Sequence, residues 1–179
     1  MIKEQKWDFE IVGTSPLLPH KFNGIDEEKK TKELPKEEQA EAHAYRCSNG
    51  NLAVPCEWIR GCLINLFILR AGNKEKTRTK IRVSPRIRIE PPLLDLGINE
   101  YEIDVRSAPS GNLSRGGTRD ICVRPRIDSP WKIRGVLCSS LEENREMRKY
   151  LEDAGENIGI GSNRINGYGR FKVTSFEVT

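Results

Sequence analysis

The sequence predicts an α+β protein built on the ferredoxin-like plan, β-α-β-β-α-β, and three observations carry that prediction. Residues 6–14 (KWDFEIVGT) and 171–178 (FKVTSFEV), far apart in the chain, alternate large apolar with polar side chains, the pattern of half-buried strands. Residues 56–72 (CEWIRGCLINLFILRAG) repeat apolar side chains at the three- and four-residue spacing of a helix face. Further alternating segments and a second helical stripe then follow, so that strand, helix, strand, strand, helix, strand is the order of the whole chain.

In chain order, Trp7, Phe9 and Ile11 mark the first strand. Two prolines and a glycine end it, and a polar, lysine- and glutamate-rich segment follows to about Tyr45. Residues 35–45 (PKEEQAEAHAY) suit a helix, but no apolar stripe anchors the segment, which reads as an exposed, flexible insertion. Asn49-Gly50 makes a turn and Leu52, Ala53 and Val54 a short strand. Pro55 then opens the first main helix, whose face holds Trp58, Ile59, Cys62, Leu63, Leu66, Phe67 and Leu69, and Gly72 stops it. Residues 80–91 (KIRVSPRIRIEP) alternate, with Pro85 implying an edge or a bulge. Residues 101–127 read as a hairpin with a mobile tip over 107–118. Trp131 and Ile133 belong to another strand. Ser140 and Glu143 form a capping-box pattern before a helix with Met147, Tyr150, Leu151 and Ala154 as its stripe and Gly155 as its stop.

At 179 residues the chain suits one domain, residues 1–179, with room for insertions. The longest apolar run, residues 62–69, is too short to cross a bilayer, and with charges at the start no secretory signal is expected. Five cysteines with no CxxC pair suggest a reduced, cytoplasmic protein, and two histidines supply a metal poorly. No metal, no cofactor and no membrane partner are expected.

The informative segment is residues 159–171, GIGSNRINGYGRF. Glycine costs backbone entropy, so four in one loop imply left-handed backbone or close approach of a ligand. The loop follows a helix and precedes a strand, which is the reverse of a dinucleotide fingerprint, and no GxxxxGK[ST] sequence occurs. What remains is a loop whose amides and arginines suit an extended polyanion. The net charge is +4, and arginine dominates residues 80–134 (Arg82, Arg86, Arg88, Arg106, Arg115, Arg119, Arg124, Arg126, Arg134). Its planar fork fits phosphate.

The segment 159–173, GIGSNRINGYGRFKV, between the second helix and the final strand, resembles the C-terminal glycine-rich loop of the RAMP superfamily, the RNA-binding family of CRISPR systems. Residues 51–66 (NLAVPCEWIRGCLINL) resemble that family's strand-to-helix segment at Val54-Pro55 and Ile59-Arg60-Gly61, and depart from it at Cys56, Glu57 and Trp58, where the family has small residues. The resemblance implies an RRM-like core, a thumb-like insertion over residues 15–50 and an inserted hairpin over 101–127. A stand-alone or virus-borne relative of effector subunits fits equally.

The resulting expectation is a binder of single-stranded RNA, or single-stranded DNA, partnered by copies of itself or by other effector subunits. Gly159, Gly161, Ser162, Asn163, Arg164, Asn166, Gly167, Gly169 and Arg170 would hold phosphates, with Arg60, Arg86, Arg88, Arg124 and Arg126 as auxiliaries and Tyr168 stacking on a base. About four neutralised phosphates would give a salt slope of roughly −3. The alternatives are a metal-independent endoribonuclease using His20, or Asp26 of the insertion, and a self-assembling subunit without catalysis. His43 and Tyr45 would join His20 only if the insertion folded back.

Overall fold

The computed structural model describes residues 3–110 and 118–179. Its main sheet has four strands, with every neighbouring pair antiparallel. β1 (Gln5–Gly13) lies between β7 (Lys132–Ser139) and β8 (Phe171–Val178), and β3 (Ile87–Glu90) pairs with the outer side of β7. Alternation along β1 sends Trp7, Phe9 and Ile11 inward, where they join Ile133, Leu137 and Phe171 in one apolar cluster. α3 (Cys56–Ala71) contributes Ile59, Cys62, Leu63, Leu66 and Phe67 to it, and α5 (Met147–Asn157) contributes Met147, Leu151 and Ala154. Each large buried side chain stabilises by about 1.5–3 kcal/mol.

Two further sheets have two strands each. β2 (Ala53–Pro55) pairs with β4 (Leu93–Asp95). β5 (Glu102–Ser110) pairs with β6 (Thr118–Arg126), placing Asp104 opposite Arg124 and Arg106 opposite Cys122. The strands run into the segment expected to be a mobile tip, pairing Ser110 with Thr118; the remainder of that tip, residues 111–117, lies outside the described residues.

The insertion is more ordered than its composition implies. α1 (Ile25–Thr31) and α2 (Lys36–Ala42) are short helices, and α2 packs on β5 and β6. Leu17 and Leu18, just upstream, are fully buried, and Leu17 bridges to Ile127.

Three local expectations are corrected. Residues 80–91 are not one strand. Gly72, with φ of 82°, ends α3, and the chain turns back as α4 (Lys76–Val83) packed on α3. Only Val83 of the Ile81/Val83 pair is buried, while Ile81 is exposed, so the alternation there is incidental. Pro85 sits in a 3₁₀ turn, Ser84–Arg86, before the short edge strand β3. Secondly, Ser140 and Glu143 make no capping box: a 3₁₀ turn (Glu142–Glu146) leads into α5, which runs past Gly155 to Asn157. Gly155 is there for close packing, since a Cβ would stand 2.5 Å from Phe171. Thirdly, Leu69 is not a core residue but exposed at the end of α3.

Candidate nucleic-acid interface

Five residues of the glycine-rich loop have left-handed backbone: Gly159, Gly161, Asn163, Gly167 and Gly169. At its base this freedom closes the loop on itself. A Cβ on Gly169 would lie 1.8 Å from the Ile160 carbonyl oxygen, and Ile160 N–H donates to the Gly169 carbonyl at 2.9 Å. The segment leaving β1 runs alongside. Gly169 N–H donates to Pro16 O (2.8 Å), Ser162 N–H to Leu18 O (3.0 Å) and Arg170 N–H to Ser15 Oγ (2.8 Å). The expectation that the whole loop backbone is free for a polymer is therefore narrowed. The amides of Ile160, Ser162, Gly169 and Arg170 serve the fold, and the exposed part is the tip around Arg164, Ile165 and Asn166.

Beneath this tip lies a cavity of about 730 Å³, walled by Asn65 and Leu69 of α3, Ile158 after α5, and Asn163, Arg164 and Arg170 of the loop. Arg170 Nη2 donates to the Arg164 carbonyl (3.2 Å), and Asn163 Oδ1 accepts from Asn166 Nδ2 (2.6 Å). Arg170 Nη1 and Asn163 Nδ2 are buried and have no acceptor among the described residues. Leaving such donors unmade costs about 1–3 kcal/mol each, and more for a charged group. Both belong to residues that line this cavity.

Tyr168 joins the loop to the hairpin. The Arg106 guanidinium lies 4.8 Å from its ring centre and Nη2 donates to its hydroxyl at 3.0 Å. Arg106 also forks onto Asp104, Nε to Oδ2 at 2.7 Å and Nη2 to Oδ1. Asp104 Oδ2 further accepts from Arg124 Nε at 3.3 Å, and Asp104 and Arg124 are both buried. Burial pushes the Asp104 carboxyl upward, but the two guanidiniums outweigh it and hold the group below the usual carboxylate range.

The other arginines are mostly engaged. Arg124 is committed to Asp104, Arg126 to Asp128 (2.8 Å), and Arg88 to Glu90 and Glu4. Arg60 donates to the carbonyls of Ile87 (2.9 Å) and Ser84 (2.5 Å), tying α3 to the turn before β3. Arg86 is exposed, with no ion pair among the described residues. Of the arginines expected to hold phosphates, Arg164 and Arg170 line the loop cleft.

The insertion does fold back. The rings of His20 and His43 stack with centres 4.4 Å apart, in a second cavity of about 300 Å³ that Ser162 also lines. His43 Nδ1 lies 2.6 Å from the Val123 carbonyl and Nε2 3.2 Å from Glu28 Oε2; His20 Nδ1 lies 3.7 Å from Cys122 Sγ. Burial first, then the neighbouring His43, lowers the His20 pKa. Tyr45 is elsewhere, edge-on to Trp58, and Asp26 is exposed on α1 outside the cluster. Both His43 nitrogens face protein acceptors. Asn163 was expected at the phosphates, whereas Glu28 and Cys122 were not singled out from sequence, because they meet the histidines only through tertiary structure.

No family model matches this chain, and no curated protein does. Solved structures do. A chain of the cryo-EM structure of type III-B Cmr-beta bound to cognate target RNA aligns at a TM-score of 0.63 and 13% identity, over 98% of this chain and 61% of that one. Cmr6 from Pyrococcus furiosus aligns at a TM-score of 0.54 and 11% identity, over 96% and 99%. The protein thus has a mixed α/β fold with antiparallel sheets, shared with chains of that kind, and spans less than two thirds of the first. No helix among the described residues is long and apolar enough to cross a membrane.

Proposed function

We propose that this chain binds single-stranded nucleic acid, RNA in the first instance, as a RAMP-like subunit of a CRISPR effector assembly. Phosphates enter the cleft beneath the glycine-loop tip. The observation that carries this reading is the pair of buried donors without an acceptor among the described residues, Arg170 Nη1 and Asn163 Nδ2, on two residues that line the cavity of about 730 Å³ under the loop tip. Arg164 adds an exposed charge beside them, and Tyr168, half-buried in the same loop, is the residue assigned to stack on a base.

The fold supports the same reading. The order β3-β7-β1-β8, with α3 and α5 as the two crossovers, agrees with a ferredoxin-like core, onto which residues 15–50 add a thumb-like insertion and 101–127 a hairpin. One structural neighbour is a chain of a Cmr-beta structure bound to cognate target RNA, and RNA and neighbouring subunits are the partners proposed here.

The test is Asn163→Asp, measured by fluorescence anisotropy with a labelled single-stranded RNA. Aspartate keeps the Oδ1 acceptor and tolerates left-handed backbone, but replaces the free donor with a negative charge. Affinity should fall about tenfold or more. Unchanged affinity, or no binding by the parent protein at low salt, overturns the reading.

A further inference from the structure

The histidine cluster sits apart from the loop cleft and contains an arrangement that protein atoms alone leave unresolved. A carbonyl only accepts, so the short contact to Val123 O requires His43 Nδ1 to carry hydrogen. In the neutral ring Nε2 is then an unprotonated acceptor, and it faces Glu28 Oε2, also an acceptor, at 3.2 Å. A cation belongs between them. The other Glu28 oxygen is held by the Asn23 N–H at 3.3 Å, which aims Oε2 into the cavity. A proton would satisfy this one contact, but His20 and Cys122 converge on the same space from other elements.

We infer that His20, Glu28, His43 and Cys122 form a tetrahedral site for a divalent transition metal, zinc by its donor set. The candidate ligand atoms of His20, Glu28 and His43 all lie within 4.8 Å of one another. Zinc bonds of ~2.0–2.1 Å to nitrogen and oxygen set a tetrahedral N···O edge of about 3.3 Å, and a bond of ~2.3 Å to sulfur sets an N···S edge of about 3.6 Å. The observed edges are 3.2 Å (His43 Nε2 to Glu28 Oε2) and 3.7 Å (His20 Nδ1 to Cys122 Sγ). The histidine rings, 4.4 Å apart, need to separate by under ~1 Å to share one ion. The His43 Nδ1–H to a backbone carbonyl is the outer contact that fixes the tautomer of a ligating histidine. Binding displaces the Cys122 thiol proton to solvent.

The ligands come from four places: the segment after β1, α1, the residue after α2, and β6. The nearby cations Arg124 and Lys32 are already paired, with Asp104 and Asp120. One ion would therefore join the insertion to the hairpin without opposing an uncompensated charge. This revises the expectation that two histidines supply no metal site, and it is independent of nucleic-acid binding.

Chelator-stripped protein titrated with Co²⁺ tests it, with circular dichroism confirming that each variant is folded. One equivalent should bind and give the visible bands of tetrahedral cobalt with a thiolate charge-transfer band; Zn²⁺ should displace it one for one and raise Tm. Cys122→Ser should lose the charge-transfer band, and Glu28→Gln should weaken Co²⁺ binding about tenfold or more. Octahedral or no cobalt binding, a charge-transfer band that survives Cys122→Ser, or a Glu28→Gln protein that binds like the parent overturns the proposal.

Discussion

Arg164→Ala removes one of the two guanidiniums that line the loop cleft, and its consequence follows from counterion release. The Arg164 side chain is exposed; it is its carbonyl, unaffected by truncation, that receives the Arg170 hydrogen bond. The loop should therefore keep its shape. Single-stranded nucleic acid contributes a slope of about −0.7 in log K against log salt per phosphate neutralised. With Arg164 and Arg170 as the contacts the parent slope is about −1.4, and the variant's about −0.7. At about 0.1 M salt one phosphate is then worth about fivefold in affinity, near 1 kcal/mol, and the difference fades toward about 1 M. Anisotropy titrations of a labelled RNA across several salt concentrations measure both quantities. Arg126→Ala is the control, because Arg126 is already paired with Asp128 and should leave the slope unchanged. A parent slope near zero, or an Arg164→Ala slope equal to the parent's, refutes the assignment of phosphates to this cleft.

Other outcomes follow from the same contacts. Tyr168→Ala should weaken RNA binding by about 1–3 kcal/mol, while Tyr168→Phe, which loses only the hydroxyl that Arg106 donates to, should retain most of it; equal losses would place the effect in the clamp and not in stacking. Asp104→Ala leaves Arg124 buried without its carboxylate and should cost about 3–5 kcal/mol in urea unfolding. Because the folded Asp104 pKa is depressed, its contribution is complete above the unfolded value near about 4 and is lost as pH falls through the folded value; an Asp104→Asn protein should lack that acid-dependent share of the unfolding free energy. Gly169→Ala must force a Cβ against the Ile160 carbonyl at positive φ, and a loss of about 2–4 kcal/mol is expected in the same assay; an unperturbed midpoint would show that the loop base is not closed as described. Labelled RNA should stay uncut on prolonged incubation, and cleavage abolished by His20→Ala would restore the nuclease reading.

The parts of the fold legible in the sequence were those that local periodicity specifies. The inward set Trp7, Phe9 and Ile11 and the α3 face through Phe67 follow from alternation and helical spacing, because burial acts on each residue according to its place in the repeat. Residues 80–91 misled for the same reason. Their alternation satisfied the strand pattern, and only tertiary contacts, α4 on α3 and Arg60 reaching the carbonyls of Ser84 and Ile87, decide otherwise. The glycine loop was recognisable as special backbone, but whether its amides face inward or outward depends on residues 15–18, more than a hundred positions away. Charge was the least legible. Arg88 meets Glu4 and Arg124 meets Asp104 across strands, so an arginine-rich run that suggested a phosphate track is largely neutralised. The grouping of His20, Glu28, His43 and Cys122 likewise exists only once the insertion has folded onto the hairpin.

The central claim is that the cleft under the loop tip is where nucleic acid binds. Photo-cross-linking of a 4-thiouridine RNA, followed by peptide mapping, tests it most directly. Adducts on residues 161–170, with Tyr168 foremost, are the predicted result; adducts confined to the opposite face of the main sheet, or to α4, with none on the loop, would contradict it.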